Sequence, residues 1–209
     1  MANGVDPAKF AALDGDPELR RKLGLEGRKV IGFVGWFRPW HGLEMLVEAY
    51  DGSGLAEEGV SVLLVGDGPA LPSLRRVVAE RGLEGRVVIT GAVPHKEIPG
   101  YVALFDSAAQ PAANEYCCPM KIIEYLASGK PVIAPAQENI RELVEEGVDA
   151  ALFEAGSVES LSQALRRVMG DEGEMRRLKE GAATAVERRG YLWRRNAERV
   201  VAAVAAERR

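Results

Sequence analysis

Short apolar runs rich in Val and Ile alternate along the chain with longer segments whose apolar residues recur at three and four positions. That alternation is the signature of repeated βαβ units around a parallel sheet. The first run is Lys29 to Gly35. Five more follow at Val60 to Gly66, Arg86 to Thr90, Phe105 to Pro111, Pro131 to Pro135 and Ala150 to Phe153. Between them the spacing predicts helices over Leu43 to Tyr50, Ala70 to Arg81, Lys96 to Ala103, Met120 to Ala127, Asn139 to Glu145 and Glu159 to Met169, as at Leu71, Leu74, Val77 and Val78. Gly82, Gly129 and Gly147 fall just past three of these, where a left-handed residue closes a last turn. The prediction is an α/β fold: a doubly wound, Rossmann-like parallel sheet of about six strands with a helical tail over residues 172–209.

In that tail Trp193, Ala197, Val200, Val201 and Val204 share one helical face, which must pack on something. From Val186 to Arg209 seven Arg stand against three Glu. Such a balance raises attraction to acidic lipid or to an acidic acceptor. The blander reading is a solvated face whose apolar stripe lies on the sheet.

Composition narrows the picture. At 209 residues and 22.6 kDa, with no internal repeat, low-complexity tract or dividing linker, the chain fits one domain over residues 1–209. With 47% apolar and 28% charged residues it folds as an ordinary globular protein. A net charge of -4 gives no basic footprint for nucleic acid. No run approaches the roughly 18 to 20 apolar residues of a membrane span. The start MANGVDPAKF lacks the regions of a signal peptide. The expected compartment is the cytoplasm, with the basic tail leaving a peripheral place at the inner membrane face open. Cys117 and Cys118 are adjacent, which suits neither a disulfide nor, without further ligands, a metal site.

The candidate chemistry lies in loops after strands, at the sheet edge where such folds bind ligands. Strand one ends in Gly35-Trp36-Phe37-Arg38-Pro39-Trp40-His41-Gly42. Arg38 there is suited to hold a diphosphate by forked hydrogen bonds, and His41 at a helix start to donate another; a surface Arg and a capping His are the plainer alternative. Strand two runs into Gly66-Asp67-Gly68-Pro69, where two glycines let backbone approach a ligand closely. Neither G-x-G-x-x-G, nor a Walker sequence, nor G-x-S-x-G occurs, which disfavours dinucleotide, ATPase and α/β-hydrolase readings. The densest signal runs from Asn114 to Ala134: a pocket loop with Glu115, Tyr116, Cys117, Cys118 and Pro119, a helix opened near Pro119, and another strand. The amides of Met120, Lys121 and Ile122 would be free at that helix start and suit a phosphate. Glu124, a turn further in, can accept from ribose hydroxyls or simply complement the helix dipole.

The block from Pro119 to Ala134 resembles the donor-site signature of retaining GT-B glycosyltransferases of group 1, family 4-like. The resemblance extends over most of the chain, through Asn3-Gly4-Val5-Asp6, the strand-one loop, G-D-G-P, Gly91-Ala92-Val93 and the stretch from Asn139 to Gly147. It implies a C-terminal donor domain that binds a nucleoside-diphosphate sugar, UDP- or GDP-linked among the candidates. Residues 1–10 would be the remnant of an interdomain linker, and an N-terminal acceptor domain would be supplied in cis or in trans. In the family an Arg and a Lys of the strand-one loop grip the diphosphate. Arg38 matches the first, while His41 stands where the Lys is expected. The ribose-holding acid maps onto Glu124 and the helix-start amides onto Met120, Lys121 and Ile122. The base pocket maps onto Gly66, Asp67, Gly68, Ala92 and Val93, and Gly35 joins the residues that bind the donor nucleotide and phosphate. The family's first acid precedes its second with seven residues between them, a position that here is Tyr116, whereas Glu115 leaves eight between. Glu115 through a shifted loop, or no acid at all, are both open. No metal or other cofactor is required by the pattern. Alone, such a half should transfer sugar very poorly. Other readings are a stand-alone nucleotide-sugar-binding subunit, favoured by any exposed apolar patch near the linker and the Trp193 helix, and a GT-B epimerase or phosphorylase.

Overall fold

A computed structural model describes residues 3–6, 9–10, 15–116 and 118–207. Six parallel strands form one sheet: β1 (Lys29–Val34), β2 (Val60–Val65), β3 (Val87–Ile89), β4 (Ser107–Ala109), β5 (Val132–Pro135) and β6 (Ala150–Phe153). Their order is β3-β2-β1-β4-β5-β6. The chain therefore winds outward in one direction through β3, returns, and winds the other way from β4. The switch point lies between β1 and β4, and crevices at such points open at the carboxyl ends of the strands. The doubly wound α/β prediction is borne out, with five of the six strands one to two residues shorter at one or both ends than predicted.

The helices are α1 (Pro17–Lys22), α2 (Leu43–Ser53), α3 (Leu71–Glu80), α4 (Ile98–Ala103), α5 (Met120–Ala127), α6 (Glu138–Arg141), α7 (Val158–Gly170), α8 (Glu172–Arg189) and α9 (Trp193–Glu207). Helix α5 has the predicted bounds. The predicted helix over Asn139 to Glu145 is cut to α6. The buried Asp149 carboxylate takes the Glu145 N–H at 2.7 Å, and the Glu145 carbonyl accepts from Val148, Asp149 and Ala150, so the chain turns there instead of continuing. Asp149 is held in turn by Arg188 at 2.6 Å. Helix α1 was not foreseen, although Asp16-Pro17-Glu18 is a start signal: the Asp16 carboxylate accepts from the Glu18 N–H at 2.8 Å.

Both faces of the sheet are covered. One core layer packs Phe33, Val62, Leu64 and Ile133 against α2, α3 and α7; the other packs Val30, Leu63, Ala108 and Val132 against α5 and the second half of α8. Helix α8 serves both, through Met175 and Leu178 on one layer and Ala182, Ala185 and Val186 on the other. No sheet face is left for α9, and this overturns the expectation that its stripe lies on the sheet. Trp193, Val200, Val201 and Val204 are 54%, 50%, 68% and 47% exposed. Among the described residues the helix is tethered at its root, where Val5 pairs with Leu192, the Val5 N–H donates to the Tyr191 carbonyl at 2.8 Å, and Asn196 is buried. Beside that root a cavity of about 570 Å³ is lined by Val5, Asp6, Lys9, Glu187, Leu192, Trp193 and Arg194.

No helix among the described residues is long and apolar enough to cross a membrane.

Candidate functional site

Two loops and one helix start meet at the carboxyl edge. The strand-one loop folds into a 3-10 turn over Pro39–His41 and enters α2 through Gly42. The His41 carbonyl accepts from the Ala112 N–H at 3.2 Å, which ties this loop to the one after β4 across the switch point. The tip of β1 is fixed from α5. The Gly35 N–H goes to Val65 of β2 at 3.0 Å, so the preceding Val34 N–H points the other way, past the end of the short β4. There the fully buried Tyr125 hydroxyl accepts it at 2.9 Å.

The turn after β2 is clasped onto the same loop by Phe37, which is fully buried. The Phe37 N–H donates to the Asp67 carbonyl at 2.6 Å, and the Phe37 carbonyl accepts from Ala70 at 3.1 Å. The two glycines exist for this clasp. At Gly66 (φ +140) a Cβ would sit 1.9 Å from the Gly35 carbonyl oxygen, and at Gly68 (φ +150) one would sit 2.5 Å from the Phe37 N and O. They admit the neighbouring loop rather than a ligand, which revises the reason given for them from the sequence. Thr90 completes the arrangement by accepting from the Gly66 N–H at 3.2 Å while its hydroxyl donates to Gly91.

Above these turns lies a cleft of about 230 Å³, lined by Val34, Gly35, Trp36, Val65, Gly66, Asp67, Ala92, Val93 and Ile98. Four of the five residues predicted for the base pocket line it, together with Gly35. Gly68 does not, since it faces Phe37. Trp36 and Ile98 are additions that carried no distinct signal in the sequence. Trp36 is 55% exposed at the rim. Further along the loop the exposed Arg38 guanidinium lies 5.4 Å over the Trp40 ring.

The phosphate side is more crowded than the motif suggests. Helix α5 starts after Pro119, and the Ile122 N–H is already donated to the Pro119 carbonyl at 3.0 Å. The open amides of this helix start are therefore those of Met120 and Lys121. The Lys121 side chain, which sequence reasoning did not use, reaches back beneath the strand-one loop. Its Nζ stands 3.4 Å from His41 Nε2 and 4.6 Å over the Phe33 ring, close to where a side chain at Gly35 would begin. Burial lowers the Lys121 pKa to about 8, with the Glu124 carboxylate opposing. Burial, then the charges of Lys121 and Arg38, lower His41 to about 4. The imidazole is therefore neutral near pH 7, which answers the question left by finding His at this position. Burial raises Glu124, against the His95 and Lys121 charges.

The loop that would hold the sugar is braced from behind. Gln110 donates to the Ala112 carbonyl at 2.6 Å, Gln137 to Ala113 at 3.2 Å and Asn139 to Asn114 at 3.0 Å. Glu115 and Tyr116 form an exposed turn at its outer edge, Tyr116 being 88% exposed. Cys118 is an exposed free thiol, and Cys117 lies outside the described residues. Among the described residues no group of three or more His, Cys, Asp or Glu is placed to hold a metal.

A doubly wound parallel sheet, with a cleft over the carboxyl ends of β1 to β3 and a helix start beside it, defines a Rossmann-like architecture. The group 1 glycosyl transferase family model matches residues 28–171. The chain belongs to that family, as one C-terminal, Rossmann-like half of a GT-B fold. It is 28% identical over 166 residues to alpha-D-kanosaminyltransferase of Streptomyces kanamyceticus, covering 79% of this chain and 43% of that protein. It is 26% identical to a GDP-mannose-dependent alpha-(1-6)-phosphatidylinositol monomannoside mannosyltransferase of Mycolicibacterium smegmatis, covering 80% and 46%. Anabaena HepE, solved in complex with UDP, superposes with a TM-score of 0.83 at 25% identity, covering 97% of this chain and 56% of that one. A C-terminal domain of a group 1 glycosyl transferase from Francisella tularensis has the same fold, with a TM-score of 0.77 at 19% identity, over 88% of this chain and 97% of that one. The chain spans less than half the length of these two curated relatives.

Proposed function

We propose that the chain is the donor-binding half of a retaining glycosyltransferase, taking a nucleoside-diphosphate sugar into the cleft at the carboxyl edge of the sheet. The observation that carries this is that a pocket and a helix start meet at one sheet edge. The pocket is lined by Gly35, Trp36, Gly66, Asp67, Ala92 and Val93, and Gly35 lies beside the side chain of Lys121, at the open start of α5 with the Glu124 carboxylate one turn in. In this reading the nucleobase lies in the pocket against backbone, Glu124 holds the ribose hydroxyls, and the diphosphate meets the α5 amides and Arg38. The sugar projects toward Glu115, Tyr116 and the Cys118-Pro119 segment. Helix-start amides and cationic side chains supply the charge stabilisation, so no metal is needed. HepE with bound UDP and the GDP-mannose dependence of the mycobacterial relative support a nucleoside-diphosphate donor; retention rests on the family resemblance.

The exposed stripe of α9 and the cavity at its root suit an acceptor-binding domain, in cis or as a separate chain, and residues 3–6 would lead into it. Transfer needs both reactants held together, so the domain alone binds donor but turns over very little. Calorimetric titration with UDP, GDP and ADP tests the reading. One nucleotide should bind in the micromolar to millimolar range, and Arg38→Ala and Glu124→Ala should each weaken it by about tenfold, the loss of one charge-assisted hydrogen bond. Binding of none of the three at millimolar concentration would overturn it.

A further inference from the structure

The Lys121 ammonium is partly buried, and among the described residues it forms no ion pair with a carboxylate; what surrounds it is the Phe33 ring from β1, the His41 imidazole from the strand-one loop, and Arg38 beyond it. The Glu124 carboxylate on its own helix acts on it only from further away. A desolvated cation left without a counter-ion is costly, and proteins seldom keep one unless a ligand brings the missing charge. Its position indicates which ligand. Nζ lies beside Gly35 and His41 Nε2, at the junction of the strand-one loop with the open Met120 and Lys121 amides, so an anion bound at that helix start meets backbone N–H groups, ammonium and imidazole together.

We propose that the Lys121 side chain supplies the positive charge for the donor diphosphate, the role that the family pattern places at position 41. Arg38, exposed and stacked on Trp40, is then the outer contact, and His41, whose Nε2 faces the Lys121 ammonium, brings it no negative charge in the free protein. The arrangement has a pH signature. An anion between Lys121 and His41 favours their charged forms, so binding takes up protons and affinity falls as pH rises through about 8, the free-state pKa of Lys121.

This inference rests on the donor reading, and the experiment separates the two. The nucleoside diphosphate that the wild-type chain binds is titrated, alongside its monophosphate, into wild type, Lys121→Gln and Lys121→Arg at pH 7 and pH 9.5. Removing a desolvated charge does not threaten the fold, and Lys121→Arg keeps the charge at both pH values as a second check. Lys121→Gln should lose about 10- to 100-fold in diphosphate affinity at pH 7 and several-fold less for the monophosphate. Wild type should weaken between pH 7 and 9.5 more than Lys121→Arg does, and Lys121→Gln should show none of the wild-type excess. Wild-type binding with equal losses for the two nucleotides, or no loss, overturns the role of Lys121 and leaves the donor reading intact. Absence of nucleotide binding by wild type overturns both.

Discussion

Replacing Tyr125 by Phe removes one oxygen and nothing else from the junction of β1 and α5. The ring is fully buried and packs edge-on against Phe105 at 6.3 Å, and Phe retains that contact and leaves no cavity. What is lost is the acceptor for the Val34 N–H, a ladder position that β4 is too short to fill. Leaving a donor unsatisfied costs about 1 to 3 kcal/mol, and because Val34 is only half-buried the lower part of that range applies, about 1 to 2 kcal/mol. For a chain of this size each kcal/mol moves Tm by about 2 to 4 °C, so Tyr125→Phe should melt roughly 2 to 8 °C below wild type by calorimetry. Nucleotide affinity should fall as well, since the freed tip of β1 carries Gly35 and Trp36 into the cleft. A Tm within about 1 °C of wild type would show that water or a backbone shift satisfies Val34 and that the hydroxyl does not set the geometry of the loop.

Four further outcomes follow from the same contacts. Gly66→Ala drives a Cβ onto the Gly35 carbonyl from a left-handed backbone, and should cost on the order of 3 kcal/mol and abolish nucleotide binding, read by denaturant unfolding and calorimetry. Asp149→Ala strips the buried carboxylate from Arg188, Arg189 and the Glu145 N–H, and should destabilise the fold by about 3 to 5 kcal/mol. Val201→Lys, on the exposed stripe of α9, should shift stability by no more than about 0.5 kcal/mol while impairing association with an acceptor domain, measured by pull-down of the separately expressed half. Because the folded-state pKa of Lys121 is depressed to about 8, the unfolded chain holds more protons between that value and the ordinary lysine range. Wild-type stability from this group should therefore rise as pH increases through that window, and Lys121→Gln should melt above wild type at pH 7, where the penalty is fully present.

How far these features could be read beforehand differs from one residue to the next. The sheet, its strand count and α5 were legible because parallel strands are continuous apolar runs and because Pro119 and Gly129 bracket a helical pattern. Most of the lining of the cleft was legible because loops after parallel strands must converge at one edge. Gly66 and Gly68 were visible as turn residues, but that their space is filled by Phe37 depends on how two distant loops stack, which no local pattern records. Lys121 could be seen as part of a helix start, whereas the direction of its side chain is set by the Phe33 ring 88 positions earlier. The stripe on α9 was plain from periodicity; that it stays uncovered follows only once both sheet faces are known to be occupied. Asp149 shortened α6 through a tertiary contact that competes with helical spacing.

The Phe37 clasp has a bearing on how specificity can change in such a domain. It makes the strand-one loop and the turn after β2 a single stiff unit, whose backbone contacts leave no room for a side chain at either glycine. Sequence drift is therefore barred from the floor of the cleft and confined to its rim, at Trp36, Ala92, Val93 and Ile98, where a side chain can be exchanged without reopening the joint. A lineage built on this plan can change what the slot accepts by repainting its edge while its frame stays fixed.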